Sequence, residues 1–252
     1  MIAVTHGVSP HIHRCELTHR PREPLDLDLA RRQHAAYQDA LRRHGFTVVE
    51  LTVNLDLPDS VFVEDTAVVL DEIAVLCRPG APSRRKEVPG IRPVLERYRP
   101  VAEIRAAGTL DGGDVLRVGK TLFVGLSSRT NLDGLEQLRA LLTPYGYQVK
   151  AVSVHGCLHL KTAVTAADED TLVAYPEWID MEPFHGFRVL EVPKEEAEAA
   201  NVLRLNRSVL VAEGFPRTEK MLRDAGFSVE TVDISELRKA EAGLTCSSLL
   251  VT

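Results

Sequence analysis

What this 252-residue chain lacks narrows its possible functions. No apolar run is long and uncharged enough to cross a bilayer as a helix, so no membrane partner is expected. Cationic residues are not in excess: 30 Lys and Arg face 36 Asp and Glu, for a net charge of -6. Phosphate backbones need a basic face, which makes nucleic acid an unlikely cargo on charge alone and sets it aside as a partner. The cationic cluster at Ser83–Glu87 reads as a solvated loop whose arginines could bind a small carboxylate. The N-terminus "MIAVTHGVSPHIHRCELTHRP" shows no basic segment followed by a long apolar stretch, so no export signal is expected. Cysteine is scarce, and Cys15, Cys77, Cys157 and Cys246 accordingly read as free thiols of a cytoplasmic protein. No low-complexity tract or Pro/Gly-rich linker divides the chain, which predicts one domain over residues 1–252.

What is present is a repeat. "LRRHGFTVVEL" (41–51), "LTPYGYQVKAV" (142–152) and "LRDAGFSVETV" (222–232) each end a helical pattern at a glycine, then continue into a short β-rich run. The patterns predict helices over Leu29–His44, Asn131–Tyr145 and Thr218–Ala225. Pairs of short strands around a polar turn recur at 65–77, 114–125, 161–175 and 201–212. Strand pair, helix and strand thus repeat at about 40–50 residues, a period typical of propellers and arrays. Four such units lie within the chain. A fifth forms if "SSLLVT" at the C-terminus pairs with "MIAVTHG" at the N-terminus, which closes a ring and removes its edges.

At or just before the opening strand of each unit stands a polar residue or cluster: Glu64-Asp65, Asp111 to Asp114, His159 to Lys161, Asn201 and Cys246. Pseudosymmetry puts these at one end of the ring, near its axis. A cysteine with a histidine partner elsewhere in the chain is a candidate nucleophile, and Cys246 with His159 fits that pattern. Asp111 is placed to orient His159. Asp59, Glu64 and Asp65 in "PDSVFVED" suggest a cationic substrate, since carboxylates pair with planar guanidinium groups. Arg84 and Arg129 suit a substrate carboxylate, so an α-amino acid with a cationic side chain matches both sets. The competing use of His155, Cys157 and His159, alternate residues that share a face on a strand, is a zinc-centred hydrolase.

Taken in order, "PDSVFVED", "RPGAPSRR", "LDGGDVL", "SSRTN", "HLKT" and "TCSSL" resemble the dimethylargininases, or dimethylarginine dimethylaminohydrolases. The resemblance covers nearly the whole chain. It implies a five-bladed α/β-propeller and hydrolysis of dimethyl- or monomethylarginine to citrulline and the amine, with no metal or organic cofactor. It implies Cys246 as nucleophile, His159 as general acid/base and Asp111 as its support. Asp65 and Glu64 are implied at the guanidinium, Asp59 at the α-amine, Arg84 and Arg129 at the α-carboxylate, and Leu17 and Ala240 as backbone carbonyls. The loop "KAEAGLTC" lacks the double glycine expected before the cysteine. Arginine deiminases are the nearest rival, but resemble a His-x-Asp pattern where this chain has His159-Leu160-Lys161, and they carry a helical insertion not evident here. A non-catalytic binder of a cationic amino acid is the alternative from another class. A ring of this size is compatible with a monomer or a homodimer.

Overall fold

A computed structural model describes residues 1–252. In chain order the elements are β1 (Ile2–His6), α1 (Leu27–Arg43) and β2 (Thr47–Leu51), then β3 (Ala67–Val69), β4 (Ala74–Leu76), α2 (Val88–Leu95) and β5 (Val101–Glu103). The third group is β6 (Val115–Val118), β7 (Thr121–Leu126), α3 (Leu132–Leu142) and β8 (Gln148–Ser153). Next come the short helix α4 (Leu160–Ala163), β9 (Val164–Ala166), β10 (Thr171–Ala174) and β11 (Arg188–Glu191). The last are β12 (Leu203–Leu205), β13 (Ser208–Ala212), α5 (Pro216–Asp224), β14 (Ser228–Val232), α6 (Ser235–Arg238) and β15 (Leu249–Val251).

These strands form five separate three-stranded sheets. In each, the middle strand runs antiparallel to the inner strand and parallel to the outer one, as β4 does between β3 and β5. An antiparallel neighbour needs only a tight turn, whereas a parallel one needs a crossover, so each of the four units within the chain reads hairpin, crossover, strand. The fifth sheet is the one assembled from both ends of the chain. Ile2, Ala3 and Val4 of β1 pair with Val251, Leu250 and Leu249 of β15. The five-sheet ring and its terminal closure agree with the expectation from the repeats.

Local chemistry fixes the helix ends. The Asp26 carboxylate accepts the Leu29 N–H at the start of α1, and the Asn131 amide oxygen accepts the Gly134 N–H at the start of α3. Gly45, Gly146 and Gly226 follow α1, α3 and α5 in the left-handed region, at φ +84°, +77° and +97°. The sequence pattern misses α2, whose segment holds Pro89, Gly90 and Pro93. In the fourth unit the crossover from β10 to β11 has no α-helix, only 3-10 turns at Pro176–Trp178 and Glu182–Phe184. Middle strands are buried along their length, β4 and β10 completely, and the cores lie between sheets and crossovers.

Candidate active site

The inner strands start at the ring axis, and the backbone turns just before them carry the polar residues. A 3-10 turn Val63–Thr66 precedes β3, Gly112–Asp114 precedes β6, and Thr245–Ser247 leads into β15. His159 caps the start of α4, which leads into β9. Four sequence-distant segments therefore bring carboxylates, an imidazole and a thiol to one end of the ring.

His159 is buried and held by its ring. Nε2 lies 3.0 Å from Asp111 Oδ2, which commits that nitrogen to the carboxylate and leaves Nδ1, 3.9 Å from Asp65 Oδ1, toward the site. Asp111 is itself anchored, accepting the Gly80 N–H at 2.9 Å through Oδ1. Burial alone would lower the imidazole pKa. Asp65, Asp114 and Asp111 outweigh that and raise it to about 9, so His159 is an imidazolium at neutral pH. Asp65 receives the Gly113 N–H at 2.9 Å and the Arg84 guanidinium. Against the upward push of burial, His159 and Arg84 hold Asp65 at about 2, fully ionised. Gly113 must be glycine here, because a Cβ would sit 2.6 Å from His159 Nδ1 and 2.7 Å from Asp65 Oδ1.

Below them lies a second layer of fixed polar groups. Asp114, inaccessible to solvent, accepts the Leu160 N–H at 2.9 Å and the Ser127 hydroxyl at 2.6 Å, and burial lifts its pKa to about 6. Glu64 accepts Lys161 Nζ through one oxygen and the Thr245 hydroxyl at 2.7 Å through the other. Burial raises the Glu64 pKa and Lys161 opposes the rise. Asn201 accepts the Thr245 N–H at 3.1 Å and donates to the Lys161 carbonyl at 2.8 Å, tying this layer to the residue before the cysteine. A cavity of about 550 Å³ on the other side ends at Glu64, Lys161 and Thr245, and neither Cys246 nor His159 lines it.

Cys246 is the one cysteine not fully buried, and its Sγ accepts the Gly243 N–H at 3.4 Å. Desolvation, then the fields of Glu64 and Asp65, push its pKa up to about 12. The ligand-free site thus holds a neutral thiol, an imidazolium and ionised Asp65. Such a site awaits a cation: a guanidinium beside Asp65 would favour the thiolate that burial disfavours.

Asp59 is buried and accepts the Glu16 N–H at 3.1 Å. Arg129 donates through Nη2 to the Thr18 hydroxyl at 3.1 Å. Leu17, half-buried between those two contacts, packs against the largest core cluster. Ala240 is buried in the loop before Cys246, with its N–H on the Leu237 carbonyl at 2.9 Å.

Arg84 and Cys157 sit in specific contact networks. The resemblance puts Arg84 at the substrate carboxylate; in the structure its side chain is buried, 4% exposed. Its guanidinium is gripped by Glu87 through Nε at 3.1 Å and Nη2 at 2.8 Å, by Asp65, and by the Phe62 carbonyl at 2.9 Å. A side chain this buried and this committed orients Asp65. For the competing zinc use, His155, Cys157 and His159 do not come together as a ligand set. Cys157 donates to the His159 carbonyl at 3.2 Å, and the cluster of potential ligand atoms within 4.8 Å is Asp65, Asp111 and His159. Those three are already engaged with Arg84, Gly113, Gly80 and each other. Sequence reasoning left Asp114, Lys161, Asn201 and Thr245 without site roles, although Asp114, Lys161 and Asn201 stand in the polar clusters before the opening strands.

The site defines a guanidine-modifying enzyme of the cysteine type, and comparisons agree. The sequence model of the arginine deiminase family matches residues 53–196. A dimethylarginine dimethylaminohydrolase of Streptomyces coelicolor is 42% identical over 248 residues, 98% of this chain and 95% of that one. One from Pseudomonas aeruginosa is 37% identical over 89% of each. The solved structure of a Pseudomonas aeruginosa dimethylarginine dimethylaminohydrolase, a cysteine-to-serine variant complexed with citrulline, superposes with a TM-score of 0.94 at 34% identity, covering 98% of this chain and 97% of that one. A histidine-to-glycine variant of that enzyme type, carrying an S-methyl-L-thiocitrulline adduct, gives 0.93 at 34% identity over 98% of each chain. This chain belongs to the dimethylarginine dimethylaminohydrolase family, within the wider arginine deiminase fold group.

Proposed function

We propose that this protein hydrolyses Nω,Nω-dimethyl-L-arginine, and Nω-monomethyl-L-arginine, to L-citrulline and dimethylamine or methylamine. The observation that carries the reading is an imidazole fixed by Asp111 and 3.9 Å from Asp65, at the same end of the ring as a thiol in the fields of Glu64 and Asp65. Full-length relatives that act on dimethylarginine support it.

The guanidinium lies against Asp65, which Arg84 orients and keeps ionised, with Glu64 and the Ala240 carbonyl as neighbours. Arg129 takes the α-carboxylate, and Asp59 and the Leu17 carbonyl take the α-ammonium. The bound cation draws the proton off Cys246 into solvent, and the thiolate attacks the guanidinium carbon. His159 Nδ1 gives its proton to the substituted nitrogen as the C–N bond breaks, releasing the neutral amine and leaving an S-alkylthiouronium on Cys246. The now neutral Nδ1 takes a proton from water, whose oxygen attacks the same carbon. Collapse expels the Cys246 sulfur, which takes up the hydroxyl proton to restore the thiol, and forms citrulline. Throughout, Asp111 holds Nε2–H and so fixes which nitrogen transfers the proton. No step calls on a metal or organic cofactor.

The test is turnover of dimethylarginine and, separately, arginine, with assays for citrulline, dimethylamine and ammonia and with Cys246→Ala as control. Citrulline and dimethylamine that disappear in the variant support the reading. Citrulline and ammonia from arginine at a comparable rate make it a deiminase. Retained activity in Cys246→Ala removes the thiol from the mechanism, and binding without turnover makes the protein a binder.

A further inference from the structure

Residues Glu16–Arg20 form a partly exposed strap without helix or strand, yet they are fastened at several points around the mouth of the site. On one side the Glu16 N–H lies on Asp59, and the Ser83 hydroxyl lies 2.5 Å from Glu16 Oε1. In the middle the Thr18 hydroxyl receives Arg129. On the far side the backbone is fastened by a single carboxylate. Glu241 accepts the N–H groups of Thr18 at 3.0 Å, His19 at 2.5 Å and Arg20 at 2.5 Å. The Arg20 guanidinium adds a pair with Glu198, which also accepts Arg238 at 2.9 Å.

Glu241 stands five residues before Cys246, in the loop that delivers the nucleophile, and its backbone is left-handed at φ +60°. Glutamate pays a steric penalty there that glycine does not. The carboxylate offsets it by taking three successive charge-assisted hydrogen bonds from amides that find no backbone acceptor.

We infer that Glu241 is a positioning residue: it fastens the Glu16–Arg20 strap to the Cys246 loop and so holds the amino-acid end of the substrate site closed. The inference rests on the proposed reaction only for its kinetic consequence. The strap carries Leu17 and Thr18 between Asp59 and Arg129, so a loose strap weakens the grip on the α-carbon groups. The Cys246–His159–Asp65 chemistry has its own supports and is left intact. Loss of the fastening therefore appears in KM more than in kcat.

Glu241→Gly and Glu241→Gln test this on the whole chain. In the ligand-free protein, hydrogen exchange at Thr18, His19 and Arg20 should accelerate about tenfold or more in Glu241→Gly, and less in Glu241→Gln, which keeps one acceptor oxygen. The Tm of Glu241→Gly should hold or rise, because glycine relieves the left-handed backbone. With dimethylarginine, KM should rise about tenfold while kcat stays within about twofold. A residue of merely structural importance would lower Tm and kcat together, and that outcome overturns the inference. Unchanged exchange in Glu241→Gly also overturns it, as does faster exchange with unchanged KM. If the wild-type protein turns over no substrate, the proposed reaction fails, and the exchange experiment alone decides the fastening.

Discussion

The state of Cys246 before substrate binds is the sharpest consequence of this geometry. A thiol with a pKa of about 12 is ionised at pH 8 to roughly one part in ten thousand, against roughly a quarter for an ordinary cysteine. Higher basicity makes each thiolate more nucleophilic and recovers about one and a half of those three orders of magnitude. Iodoacetamide should therefore alkylate Cys246 roughly 50-fold more slowly at pH 8 than a free cysteine, with a rate still climbing at pH 10. A guanidinium about 4 Å from the sulfur, at an effective dielectric of about 20, favours the thiolate by about 4 kcal/mol, or about three pKa units. Titration of thiolate ultraviolet absorbance, with Cys246→Ser subtracted, should then move from beyond pH 11 to near pH 9 on saturation with an unreactive guanidinium amino acid. A thiolate plateau below pH 8 in the ligand-free protein would refute the reasoning, and so would a midpoint indifferent to the cation.

Four further outcomes follow from the same contacts. Gly113→Ala pushes a methyl group into His159 Nδ1 and Asp65 Oδ1, and should cut kcat by about a hundredfold or more while circular dichroism stays native. Lys161→Met leaves the buried Glu64 carboxylate without its cation and should cost about 3–5 kcal/mol in urea denaturation, whereas exposed pairs such as Lys220–Asp224 should cost under about 1 kcal/mol. The His159 pKa is raised by folding, so its contribution to stability is complete below the ordinary value of 6.5 and is lost as pH rises through about 9. Thermal melts should fall across that window in the wild type and fall less in His159→Gln; the same deprotonation removes the general acid, so kcat/KM should decline above pH 9. Asp111→Asn removes the anion that fixes Nε2–H and should lower kcat by about two to four orders of magnitude, with KM little changed.

Much of the ring is legible in sequence because the same physical constraint recurs. Gly45, Gly146 and Gly226 each end a helix where the chain must take positive φ before a parallel strand, and the three segments consequently look alike. Polar residues stand before each inner strand because those turns face the axis, which is how Cys246, His159, Asp111 and Asp65 become visible as a set. Periodicity fails where chemistry breaks the pattern: α2 contains Pro89, Gly90 and Pro93, and the β10–β11 crossover needs no helix. Orientation is harder still. Arg84 in "SRR" gives no hint that it turns inward, because beyond the neighbouring Glu87 its partners Asp65 and Phe62 converge on it only in three dimensions. Lys161 and Glu64 are 97 residues apart, and the reach of Glu241 to Thr18 spans 223. Such pairs leave no local signal.

The seam between β1 and β15 has a consequence for the order in which the protein becomes reactive. In chain order Asp59, Asp65, Asp111 and His159 all precede Cys246, and the strand that seats the cysteine pairs with β1 rather than with a neighbour in sequence. A chain whose other four sheets have formed can therefore hold the acids and the imidazole without a seated thiol. The thiol joins them as the last sheet is completed, so catalytic competence would itself report that the ring has sealed.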